Sequence, residues 1–244
     1  MLPTASPGRK VTFRYHFRLS DGEEKSFLVE LDFDTLAILT APRTAYPEWT
    51  ALSHHKCPNC PLNEAEHPRC PVAANIVDVV EFFRDSISHE EAEVTVEADG
   101  RRYVKETSLQ QAISSLIGIY MVTSGCPILN KLRPMVDTHL PFMSSSESVY
   151  RTLSMYLLAQ YFRMKNGDTP DWNLDGVVTF LREARTTNHA FCRRLQSLGI
   201  KDASLNAMNS LNAMGEITRL SLESGDLTRW EAIFLEHFGE RPVP

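Results

Sequence analysis

Apolar and polar residues alternate through Val11, Phe13, Tyr15, Phe17 and Leu19. A period of two is the mark of a strand with one buried face. Ser20-Asp21-Gly22-Glu23 then supplies turn chemistry, and Phe27, Val29, Leu31 and Phe33 resume the alternation. The pattern predicts a β-hairpin. A less regular stretch, 34–56, follows. From Val72 to Ser86 the apolar positions Ile76, Val79, Val80 and Phe83 fall at helical spacing. Cys70 stands at the N-cap of that helix and Pro71 at its first position, where the missing N–H costs nothing. A second hairpin is predicted over 91–107, turning at Ala98-Asp99-Gly100.

Beyond Ser108 the period changes to 3.6. Leu109, Ala112, Ile113, Leu116, Ile117 and Tyr120 form one stripe, which ends near Gly125, and Cys126-Pro127 opens a short helix through Arg133. Ser144 and Glu147 have capping-box spacing for a helix over 145–165. Its inner stripe reads Val149, Leu153, Tyr156, Leu157, Gln160 and Met164. Helices over 173–198, from Asp202 to about Glu223, and from Leu227 to Phe238 complete the chain. The fold class is α+β: antiparallel hairpins with a cysteine-rich loop at 54–71, then a helical bundle. The division predicted is a β-rich region, 9–107, and a bundle, 108–240, either as two domains or as one composite. Residues 1–8 read as a disordered lead.

The chain has 244 residues, 43% of them hydrophobic, enough for a real core. Its net charge is −6, with 12 basic against 18 acidic residues in 1–107. No basic stripe exists, which argues against nucleic acid as a partner. No apolar run reaches 18 residues, so no membrane span is expected. The N-terminus lacks the apolar core of a secretory signal, which points to the cytoplasm. There, closely spaced cysteines are metal ligands more often than disulfides.

Four of the five cysteines precede a proline: Cys57 and Cys60 in Cys57-Pro58-Asn59-Cys60-Pro61, Cys70 before Pro71, and Cys126 before Pro127. A Cys-x-x-Cys turn sets two soft thiolates on one metal. Two ligand sets compete. A local set of Cys57, Cys60, His67 and Cys70 lies within 14 residues, and closing so short a loop costs little entropy. In the other set Cys126 replaces His67 and pins the bundle to the loop. Zn²⁺ is the first expectation for either. Four thiolates also suit a [4Fe–4S] cluster, and a haem on a Cys-Pro thiolate is a weaker alternative. The plain alternative is that the cysteines are small buried apolar residues. His54 and His55 are spare ligands.

Cys126 at a helix N-cap is also a candidate nucleophile, with His139 as its base. Gln160 and Asn188 interrupt apolar stripes. They are expected either to bond to each other or to line a polar pocket near Tyr156, Arg193, Asp202 and Asn206. Phosphate loops, His-Glu-x-x-His and Gly-x-Ser-x-Gly are missing. The expected role is therefore non-catalytic, in regulation or assembly, with an iron–sulfur redox protein or a Cys126 enzyme as the alternative.

Cys-Pro-x-Cys resembles the knuckle of zinc-ribbon proteins, which usually carry glycine where Pro61 stands. The stretches Cys57-Pro58-Asn59-Cys60-Pro61-Leu62, Ser124-Gly125-Cys126-Pro127 and His139-Leu140-Pro141-Phe142 resemble an uncharacterised bacterial family of unknown function. That resemblance implies a bacterial cytosolic protein and carries no activity with it.

Overall fold

The computed structural model describes residues 8–41, 43–225 and 227–238, so the lead predicted over 1–8 falls almost wholly outside them. Four antiparallel strands, β1 (Lys10–Leu19), β2 (Glu24–Asp32), β3 (Glu91–Ala98) and β4 (Arg101–Ser108), form one sheet in the order β2-β1-β3-β4. Tyr15 pairs with Phe27 on one side and Val96 on the other. That register puts Phe13, Tyr15, Phe17, Val29, Leu31, Val94 and Val96 on the buried face. The other face is solvated and carries ion pairs such as Arg18–Glu93 at 3.1 Å. Alternation thus chose the face, and burial fixes the register.

The predicted helix over 72–86 is two short helices, α1 (Pro71–Asn75) and α2 (Val77–Phe82), separated at Ile76, where φ is −104° and ψ 10°. Ile76, Val79, Val80 and Phe83 still reach the core. α3 (Leu109–Thr123) is buried along almost its whole length. It forms the central rod between the sheet and the rest of the bundle. In place of the short helix predicted from Cys126, a 3₁₀ segment runs Leu129–Val136. It is followed by α4 (Ser145–Lys165), α5 (Asp175–Gln196), α6 (Ala203–Glu223) and α7 (Thr228–Phe238). α6 packs on both α3 and α5. One hydrophobic cluster runs from the strands through α1, α2 and α3 into α5 and α6. No helix is long and apolar enough to cross a membrane among the described residues.

The capping box forms as expected, with Ser144 Oγ accepting from the Glu147 amide and the Glu147 carboxylate accepting from the Ser144 amide. The inner stripe predicted for α4 does not hold. Val149 and Gln160 are buried, but Leu157 and Met164 are 40% and 46% exposed. Ser148 and Thr152 face inward in their place.

Candidate metal centre

The cysteine loop is closed at its base by backbone bonds: Leu52 N–H donates to Pro68 O (3.0 Å) and Cys70 N–H to Thr50 O (2.8 Å). Within it, Cys60 N–H donates to Cys57 O (3.0 Å), forming the tight turn that the intervening proline favours. Asn59 moors this turn to α5. Its Nδ2 donates to Glu183 O (2.9 Å), and its Oδ1 accepts from Thr187 Oγ1 (3.3 Å).

Cys70 and Cys126 arrive by a shared device. Each precedes a proline at the head of a helical turn, so the following amides aim at its sulfur. For Cys70 these are Ala73 and Val72, and for Cys126 they are Leu129 and Ile128. Gly125 makes the second arrangement reachable. Its φ of +96° turns the chain at the end of α3, and its position lies against Pro71.

As a result Cys57, Cys60, Cys70 and Cys126 line one cavity of about 20 Å³. The rest of its wall is mainly apolar, from Leu52, Leu62, Val72 and Phe191, with Thr187 polar and Arg194 the one charged residue. All four cysteines are free thiols. Burial pushes the Cys57 thiol up to about 12, reinforced by Cys70, Cys126 and Cys60. Burial also raises Cys70 and Cys126, against the pull of the amides aimed at them. Without a cation among them Cys57, Cys70 and Cys126 are neutral at pH 7. Among the described residues, no three His, Cys, Asp or Glu side chains stand close enough to clasp a single ion.

Arg194 carried no signal in the sequence. It is 1% exposed. Its guanidinium donates to Trp49 O (2.5 Å), Ala51 O (2.7 Å) and Leu52 O (3.4 Å), holding the loop base from α5. No carboxylate pairs with it among the described residues. Burial lowers its pKa, while Cys70, Cys57 and Cys60 act to raise it.

His67 is exposed beside the base of the loop, next to Pro68, and does not line the cavity. His54 bonds Ser197 Oγ at 2.8 Å, and His55 is exposed. His139 and Cys126 line different cavities. His139 Nε2 bonds Tyr15 Oη (2.7 Å), which in turn bonds Ser115 Oγ (2.8 Å). Burial, helped by Arg151, pushes the His139 imidazole down to about 3, so it is neutral.

Gln160 and Asn188 do not bond each other. Gln160 Oε1 accepts from the Asp171 amide at 2.9 Å, and Asn188 lines a separate cavity between α3, α5 and α6. The polar pocket expected around Tyr156 is likewise not assembled. Tyr156 donates to Asp171 (2.7 Å), Asp202 ties Ser88 to Asn206, and Arg193 is exposed.

The fold and site define an α+β protein whose cysteine loop, α3 terminus and α5 enclose four thiols and a guanidinium. The chain belongs to a family described as a domain of unknown function (DUF6901), whose model matches residues 11–235. No similar curated protein and no similar solved structure was found.

Proposed function

We propose that Cys57, Cys60, Cys70 and Cys126 hold a [4Fe–4S] cluster, and that Arg194 is its buried counter-ion. The observation that carries this reading is the company Arg194 keeps. A guanidinium out of water without a carboxylate is costly, and several kcal/mol must be recovered elsewhere. The carbonyls it bonds supply part of the recovery. An anionic centre supplies the rest, because a metal turns the facing thiols into thiolates.

The spacing of the thiols favours a cluster over one zinc ion. Zinc draws four sulfurs to about 2.3 Å from its centre, closing the space between them. Among the described residues no three of these side chains stand close enough for that, and the space between the four cysteines, about 20 Å³, is room for little more than one water. The amides aimed at Cys70 and Cys126 are the kind of donors that set a cluster's potential.

Such a centre stitches the loop to the end of α3 and to α5. The folding of that corner then depends on metal supply, which suits a regulatory or assembly role in a bacterial cytoplasm. Anaerobic purification followed by iron and acid-labile sulfide assay tests the reading. Brown protein absorbing near ~400 nm, with iron and sulfide in equal amounts, supports it. Colourless protein holding one equivalent of zinc replaces the cluster with a zinc site, and metal-free protein ends the proposal.

A further inference from the structure

α4 is amphipathic in the reverse sense. Its inward face carries Ser148, Thr152 and Gln160, while Tyr150, Leu157, Leu158, Tyr161, Phe162 and Met164 are 40–55% exposed. A helix with apolar residues turned outward is one that buries that face against something else. At 100° per residue these six positions fall within one arc of about 160°. α7 reaches this face near its N-terminal end, where the Trp230 and Tyr150 rings lie 5.0 Å apart. From Leu157 onward every residue of α4 except Gln160 is exposed. Alongside the helix runs a groove of about 720 Å³, walled by Phe33, Leu36, Pro134 and Met155 next to Leu158 and Phe162.

We propose that α4 is the two-fold interface of a homodimer, lying antiparallel on α4 of a second copy. Charge selects a second copy and this orientation. The exposed C-terminal half carries only the bases Arg163 and Lys165, whereas Glu147 marks the other end of the helix; the groove itself is balanced, Asp34 and Asp137 against Arg133 and Arg151. Glu147 and Lys165 are 18 residues apart, which is five full turns, so they share one side of the helix about 27 Å apart. An antiparallel two-fold centred near residue 156 sets Glu147 of each copy against Lys165 of the other. It also lays the exposed half of each α4 along the groove of its mate and brings Tyr150 opposite Phe162. The six side chains leave roughly 500–600 Å² open. The groove walls outside α4 add to this, towards the roughly 800 Å² per partner of a stable dimer. The surface is self-complementary, as a two-fold contact requires.

Sedimentation velocity from roughly 1 to 100 µM is the test. The wild type is expected to be dimeric. Leu158→Glu and Phe162→Glu, at exposed positions that leave the monomer fold intact by circular dichroism, are expected to weaken association at least ~100-fold. Lys165→Glu alone and Glu147→Lys alone each place like charges together and weaken it. An equimolar mixture of those two variants restores the dimer, because both contacts are then attractive. A monomeric wild type at the highest concentration overturns the proposal. So does a dimer indifferent to Leu158→Glu, and a mixture that fails to recover overturns the antiparallel register.

Discussion

Arg194 and Cys70 line the same cavity, one from α5 and the other from the head of α1, 1% and 8% exposed, and Cys70 acts on the Arg194 charge. They are 124 residues apart in the chain. The guanidinium joins them indirectly as well, since it grips Ala51 O while Cys70 N–H holds the neighbouring Thr50 O. Loop, helix and thiols are therefore one construction.

Arg194→Met tests that construction in the fold itself. The substitution keeps much of the volume but strands the carbonyls of Trp49, Ala51 and Leu52. Breaking such a buried charged set costs about 3–5 kcal/mol. Urea unfolding should show a loss of that order, and limited proteolysis should cut first within 51–70. Arg194→Lys, which cannot fork to two carbonyls, should recover only part of the loss.

The two ligand sets separate by mutation. Cys126→Ser is expected to lose most of the bound metal, whereas His67→Ala keeps it, because His67 is exposed and does not line the cavity. Metal analysis of the two variants checks this. The reverse result would restore the local set.

Gly125→Ala probes the approach of Cys126. At a φ of +96° a side chain strains the backbone, although the nearest atom it would meet, Pro71 Cβ, is 4.0 Å away. A loss of about 1–2 kcal/mol in unfolding free energy is expected. Metal content should fall with it, because the turn aims the sulfur.

His139 sets a pH dependence. Its imidazole is held down to about 3 in the folded protein, against an ordinary value near 6.5 when unfolded. The unfolded chain therefore binds the proton first, and stability falls as pH drops from about 6.5 towards 3. His139→Gln can keep the bond to Tyr15 and does not titrate. Urea midpoints between pH 4 and 7 should fall less steeply for the variant than for the wild type.

Much of the fold was legible because alternation and 3.6-periodicity report which faces want cover. The hairpin turns at 20–23 and 98–100 and the bounds of α4 follow from those patterns and from the Ser144–Glu147 cap. What periodicity cannot say is what supplies the cover. Leu157 and Met164 fall on the apolar stripe yet lie outside, while Ser148 and Thr152 take the inner face. The break at Ile76 was equally hidden, because Ile76, Val79 and Val80 keep helical spacing across it. At the site, the proline after each of Cys57, Cys60, Cys70 and Cys126 was a visible common mark, and its physical sense is the helix-head geometry at Cys70 and Cys126. Arg194 left no trace in the sequence, since an arginine on a helix is usually solvated and nothing local distinguishes a buried one.

Native mass spectrometry of the anaerobically prepared chain tests the central claim most directly. The account predicts a mass above that of the polypeptide by four iron and four sulfide, absent from Cys126→Ser. The bare polypeptide mass, or a mass raised by a single zinc, would contradict it.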